Sequence, residues 1–301
     1  MTRFLRILFS IPALLPLWVL YPLSSAFAWL MGSVIRYRRR VVMANLRACF
    51  PDKSDAELRS IARRFYRNFA DSIIETLKLL HISDAEMRRR MQFDGIEIVD
   101  RLMARKRNIV VYFAHTFNWE WAPSVTMHTQ LHPGEDNGVL FGQIYRPLRN
   151  KAFDQLMLHI RGRFHSVCID KSTALRQLVR ATRAGQFYVG FMSDQHPGHG
   201  DPGVLTTLLG RPTLMISGTE TLARKLDAAV VYWDMEHTAR GRYRITIRHI
   251  ADHPAELPEG ELTRQYTRLL EQTIRRDPAI WLWSHKRWKH KVTFEDDETK
   301  R

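Results

Sequence analysis

Cysteine is nearly absent. The chain of 301 residues has two, Cys49 and Cys168, far apart and with no Cys-x-x-Cys spacing. That excludes a disulfide framework and a zinc ribbon and leaves two reduced, packed thiols as the simplest reading. Acidic residues are also scarce, 31 Asp and Glu against 46 Lys and Arg, which gives a formal charge of +15. Such an excess calls for an anionic partner, and nucleic acid, anionic lipid and an acidic protein all satisfy it. No internal repeat, low-complexity tract or domain linker stands out. Charge itself is missing from Ile7 to Ile35.

That uncharged run of 29 residues exceeds the roughly 20 needed to cross a bilayer as a helix. Pro12, Pro16 and Pro22 interrupt it, so a tilted span and a re-entrant or interfacial helical pair both fit. Ala26-Phe27-Ala28 looks like a signal-peptide cleavage site. Apolar character nevertheless continues through Trp29, Leu30 and Met31, and Arg36, Arg38, Arg39 and Arg40 then stop it, which favours a retained segment. Those arginines outnumber Arg3 and Arg6 on the other flank and so place the bulk of the chain in the cytoplasm. We expect residues 1–40 to form a membrane anchor and 41–301 a single α/β domain.

Within that domain, Asn108-Ile-Val-Val-Tyr-Phe-Ala-His115 is an apolar run without alternation, as in a strand covered on both faces. His115 would sit at its carboxyl end, the edge where open α/β sheets bind ligands. Asn118 is an N-cap for a helix carrying Trp119 and Glu120. A histidine with a carboxylate to orient its second ring nitrogen is the arrangement a general base needs. A lone His near a Glu is more often structural, so the spacing alone does not decide.

Elsewhere the reading is of alternating helices and strands. Ser54 and Glu57 form a capping box before a stripe of Leu58, Ile61, Phe65, Phe69 and Ile73. A second box, Ser83 to Glu86, opens a helix carrying Met87 and Met91. Strands are expected from 137 to an end at Arg146, over 164–169, over 187–193 leading into Asp194 and Gln195, and over 228–233. Gly185 suits a helix C′ position. Tyr243, Ile245 and Ile247 alternate with Arg244, Thr246 and Arg248, as in an antiparallel edge strand. His196, His199 and Asp201 near Asp194 invite a metal reading, but the helical zinc spacing is absent, and no metal is expected. Glu295 to Glu298 makes an acidic, solubilising tail.

His115-Thr-Phe-Asn-Trp-Glu120 resembles the His-Phe-Gly-Asn-Trp-Glu motif of the bacterial lipid A biosynthesis acyltransferases, with Phe117 where the family usually has a small residue. Asn45-Leu46 with Phe50-Pro51, Tyr145-Arg146-Pro147, Asp194-Gln195, Leu208-Leu209-Gly210 and Trp281-Leu-Trp-Ser-His285-Lys286-Arg287-Trp288-Lys289 are similar to further family elements. The resemblance runs from about 45 to 289. It implies a mostly parallel sheet flanked by helices, as in glycerolipid acyltransferases, and no cofactor. His115 would be the base and Glu120 its orienting partner. Arg146 would contact an oxyanion or phosphate, with Asn118, Arg163, Asp194 and Gln195 as further substrate-site candidates. The implied donor is an acyl chain on acyl carrier protein, and the implied acceptor a phosphorylated lipid A precursor at the inner membrane. Transfer would be direct, with no Ser or Cys acyl-enzyme. Aromatics interleaved with bases from Trp281 to Lys289 suit a membrane interface. A phospholipid acyltransferase, a lipid hydrolase and a non-catalytic binder of anionic lipid or nucleic acid stand as alternatives; nucleic acid is the partner least expected.

Overall fold

In the computed structural model, which describes residues 2–130, 138–198, 203–290 and 292–294, the apolar run before His115 is a central strand. Its five residues are all buried, because helices cover both faces of the sheet. The elements in order are α1 (Thr2–Leu14), α2 (Leu17–Trp29), α3 (Arg39–Cys49), α4 (Asp55–Lys78), α5 (Asp84–Arg90), β1 (Met91–Asp94), α6 (Ile96–Ala104) and β2 (Ile109–Phe113). There follow β3 (Val139–Tyr145), α7 (Lys151–Arg161), β4 (Val167–Asp170), α8 (Ala174–Ala184), β5 (Gln186–Met192), β6 (Gly203–Leu208) and β7 (Arg211–Ile216). The last are α9 (Gly218–Lys225), β8 (Ala229–Ala239), β9 (Arg242–Ala251) and α10 (Glu261–Arg276).

Seven strands form one sheet in the order β1-β9-β8-β2-β5-β3-β4, while β6 and β7 make a separate hairpin. Every neighbouring pair in the large sheet is parallel except β8 and β9, so the fold is the expected mostly parallel α/β sheet. Alternate residues feed two cores. Val110 and Tyr112 face one with Tyr266, Leu270 and Ile274 of α10. Ile109, Val111 and Phe113 face the other with Met87 of α5, Val99 of α6 and Leu156 of α7.

The capping box of α4 is present: Ser54 Oγ accepts from Glu57 N, and Glu57 returns a carboxylate to Ser54 N at 2.8 Å. The second box is half formed. Ser83 Oγ caps Glu86 N, but the Glu86 carboxylate pairs with Arg90. Four expectations need correction. Met91 opens β1 instead of continuing a helix, and β1 pairs outside β9, so the Tyr243–Ile247 strand is interior. Ile73 is 38% exposed, because the buried face of α4 passes at that point to Asp71, Ser72, Glu75 and Lys78. Trp119 and Glu120 lie on a 3-10 helix, Trp119–Met127.

The N-terminal segment is a helical pair broken at Leu15-Pro16, with α2 running on through a π-turn, Leu30–Val34. The stretch Leu17–Val34 is long and apolar enough to cross a membrane. It also docks on α4. Ser24 Oγ donates to Asp71 at 2.6 Å, Tyr21 OH to Glu75 at 3.0 Å, and Lys78 Nζ reaches the carbonyls of Ala13 and Leu15 at 2.9 Å each. Only a third of the stretch is buried. Trp18, Leu23, Trp29, Leu30, Val34 and Ile35 stay exposed, a contiguous apolar face of the kind that marks a membrane or protein contact.

Candidate active site

The register of the sheet builds the site. β2 and β5 are parallel neighbours, with Phe113 opposite Met192. His115 and Asp194 each lie two residues past that pair, at the same carboxyl edge, and two residues is one period of a strand. Their side chains therefore emerge on the same side. His115 Nδ1 meets Asp194 Oδ1 at 2.7 Å, and Asp194 Oδ2 accepts the backbone N–H of His115 at 3.1 Å. The other ring nitrogen, Nε2, faces the Gln195 side-chain amide at 3.2 Å. With an anionic Asp194, the proton sits on Nδ1 and the Nε2 lone pair is free to accept.

Asp194 is 2% exposed. Burial pushes its carboxyl up, but the adjacent His115 imidazole and hydrogen bonds from the His115 ring, Trp281 and the His115 backbone outweigh that and hold it at about 2. The Trp281 indole N–H donates to Oδ2 at 2.8 Å. Trp281 comes from the closing segment, which also pairs by backbone with Thr116 and accepts Phe117 N–H at the Ile280 carbonyl. The membrane-interface reading of that segment is thus corrected. Trp281, Trp283 and Arg287 are 3%, 0% and 2% exposed, because they pack behind the His–Asp pair and not against lipid. Asn45 binds the segment further, donating to the carbonyls of Trp283 and His285 at 3.0 Å each. Burial lowers His285 to about 4 and Arg287 to about 10, the latter opposed by the nearby Asp194 charge.

In front of His115 opens a cleft of about 350 Å³, within the size range of small-molecule sites. Phe113, Ile144, Met192 and Ile216 give it apolar walls, while Glu120, Arg146, Arg161, Lys171 and Gln195 give it polar ones. The pairing expected between Glu120 and His115 is replaced by another. Both Glu120 oxygens bind Arg161, at 2.8 and 2.6 Å, and Oε1 also accepts the Trp119 indole N–H at 3.2 Å. Geometry explains the exchange: Glu120 is on the 3-10 helix beside α7, whereas Asp194 is in register with the histidine. Asn118 is buried and turned from the cleft, its Nδ2 on Glu75 at 3.2 Å and its Oδ1 capping Glu120 N. Arg146 stands exposed at the rim. Arg163 is drawn away to the Ile82 carbonyl and Asp84. His199, Asp201 and the acidic tail 295–298 lie outside the described residues, and among the described residues no cluster of metal-binding side chains occurs.

The family model described as bacterial lipid A biosynthesis acyltransferase matches residues 2–290. The chain belongs to that family. It is 24% identical to the lipid A biosynthesis palmitoleoyltransferase of Escherichia coli K12 over 277 residues, covering 91% of this chain and 86% of the relative. To the lauroyltransferase of the same organism it is 23% identical over 276 residues, 91% and 87% of the two chains. A lipid A biosynthesis acyltransferase of Haemophilus influenzae is 24% identical over 290 residues, 95% and 88%. The protein is an acyltransferase.

One residue of this acyltransferase's site escaped the sequence, and one that the sequence flagged turns out to lie outside the cleft. Arg161 gave no signal, being one arginine among many at a helix end. Phe117 stands where the family motif has a small residue, and the structure shows where the bulk goes. Its ring is fully buried against Phe65, Phe69 and Trp119 and does not line the cleft.

Proposed function

We propose that this acyltransferase moves a fatty acyl chain from an acyl thioester on acyl carrier protein to a hydroxyl of a phosphorylated lipid A precursor. It would work at the inner membrane with its α/β domain in the cytoplasm. The observation that carries the chemistry is the 2.7 Å contact of Asp194 with His115 Nδ1, which leaves Nε2 toward the cleft. Nε2 takes the proton of the acceptor hydroxyl as the oxygen attacks the thioester carbonyl. The tetrahedral intermediate collapses, the C–S bond breaks as the ester C–O bond is kept, and the thiolate recovers the proton from Nε2. Asp194 keeps the tautomer and offsets the imidazolium charge. The Gln195 amide, displaced from Nε2 by the acceptor, and Arg146 at the rim are donors for the oxyanion or an acceptor phosphate.

The net charge of +15 favours encounter with an acidic carrier protein and a phosphorylated acceptor. The exposed apolar face of α2 and the arginines after it support membrane attachment with the domain inside. Mass spectrometry of lipid A from cells with the wild-type gene, His115→Ala or a deletion tests the reading. Loss of the same acyl chain in both altered strains is expected, and its mass names the donor chain. Unchanged lipid A would reject this acceptor, and free fatty acid without acylated lipid would make water the acceptor.

A further inference from the structure

Away from the cleft, and sharing no residue with it, a groove of about 540 Å³ runs between α2, α3 and α4. Its floor is apolar, with Ala28, Gly32 and Tyr66 among the floor residues, and Gly32 is required there because a Cβ would lie 2.8 Å from the Tyr66 ring. Its rim is cationic. Arg39, Arg63 and Arg67 make no ion pair among the described residues, whereas Arg59 and Arg64, on the same rim, are paired with the exposed Asp55 and with Asp277. A second basic depression, carrying Arg36, Arg38 and Arg40, adjoins it through Arg39 and Arg59. Arg36 and Arg38 hold left-handed backbone conformations, φ 55° and 49°, in the turn that brings α3 back beside α2.

We propose that this groove binds the phosphate headgroup of an anionic phospholipid of the bilayer, with an acyl chain lying along the Ala28–Gly32 face of α2. Three unpaired guanidiniums within one concavity fit a phosphodiester, which accepts several charge-assisted hydrogen bonds at once. The floor selects a lipid over a soluble anion, because it continues into the exposed apolar face of the Leu17–Val34 helix. It also selects against an acidic protein, which would meet the outer arginines without filling an apolar slot. The inference rests on the reading that α2 lies in the membrane, and it holds whatever the acceptor at His115 proves to be. Bound there, the lipid would fix α3, whose Asn45 in turn grips the segment behind Asp194.

The test is native mass spectrometry of the full-length protein released from detergent with added phosphatidylglycerol, phosphatidylcholine or inorganic phosphate. Phosphatidylglycerol should be retained at least fivefold more than phosphatidylcholine, and Arg63→Gln/Arg67→Gln should abolish that preference while Arg63→Lys/Arg67→Lys keeps most of it. Equal retention of the two lipids by wild type would overturn the proposal without touching the membrane reading, and retention of neither would overturn both. Competition by millimolar inorganic phosphate would make the site one for a free anion. Loss of carrier-protein binding in the Gln pair with lipid retention intact would assign the groove to the donor protein instead. The wild-type comparison needs no variant, so a Gln pair that fails to fold leaves the proposal open to rejection.

Discussion

Asp194 buries a full negative charge, and the His115 ring and backbone N–H and the Trp281 indole N–H are set against that cost. Asp194→Asn keeps the shape but can present an N–H to Nδ1. The imidazole then carries its proton on Nε2, the wrong nitrogen for a base. Transfer should fall by about 10²- to 10⁴-fold, His115→Ala should fall as far, and the double variant should be no worse than either, since the two act as one unit. Full additivity in a thioester-turnover assay would show that they do not. Glu120 and Arg161 make a different prediction. Their side chains are 9% and 18% exposed, so Arg161→Met leaves a buried carboxylate unpaired and should cost about 3–5 kcal/mol of stability. Adding Glu120→Gln should recover most of it in thermal unfolding. A Glu120→Gln variant that unfolds like wild type but is dead in turnover would return a direct catalytic role to Glu120.

At the scale of the element, α4 was half legible. Its cap and its first turns follow from Ser54, Glu57, Leu58, Ile61 and Phe65, because local hydrogen bonding and periodicity fix them. Beyond Phe69 the pattern fails, since what α4 buries there is polar, and burial of Asp71 and Glu75 depends on partners distant in sequence: Ser24, Tyr21, Arg240 and Tyr243. The same holds for the Trp281–Arg287 segment, whose composition suits a membrane surface as well as a core until Asp194 is placed beside it. Glu75 also gives α4 a pH signature. Burial raises its carboxyl to about 7, partly offset by hydrogen bonds from Tyr243, Asn118 and Tyr21. A raised carboxyl favours the folded state while protonated. That contribution, about 3 kcal/mol by linkage, is present below the unfolded value near 4.5 and is lost as pH rises through 7. Glu75→Gln should therefore flatten the fall in melting temperature between pH 5 and 8, and an unchanged slope would reject the assignment.

For the molecule as a whole, the sheet class was readable from uniformly apolar runs, but its strand order was not. β2 and β5 are neighbours although β3, α7, β4 and α8 lie between them in the chain. The two candidate carboxylates lay five and 79 residues from His115, and proximity along the chain favoured Glu120 as its partner where the structure pairs Asp194. Three distant stretches meet at this site: the end of β2, the end of β5 and the segment after α10. The last of them carries a consequence for biosynthesis. The apolar helices α1 and α2 precede the α/β domain in the chain, whereas Asp194 gains its Trp281 donor only once the segment after α10 has been translated. Under the proposed function the nascent enzyme would be delivered to its membrane before it could touch a thioester, and a chain stopped at Asp277 should fractionate with membranes while turning over no donor.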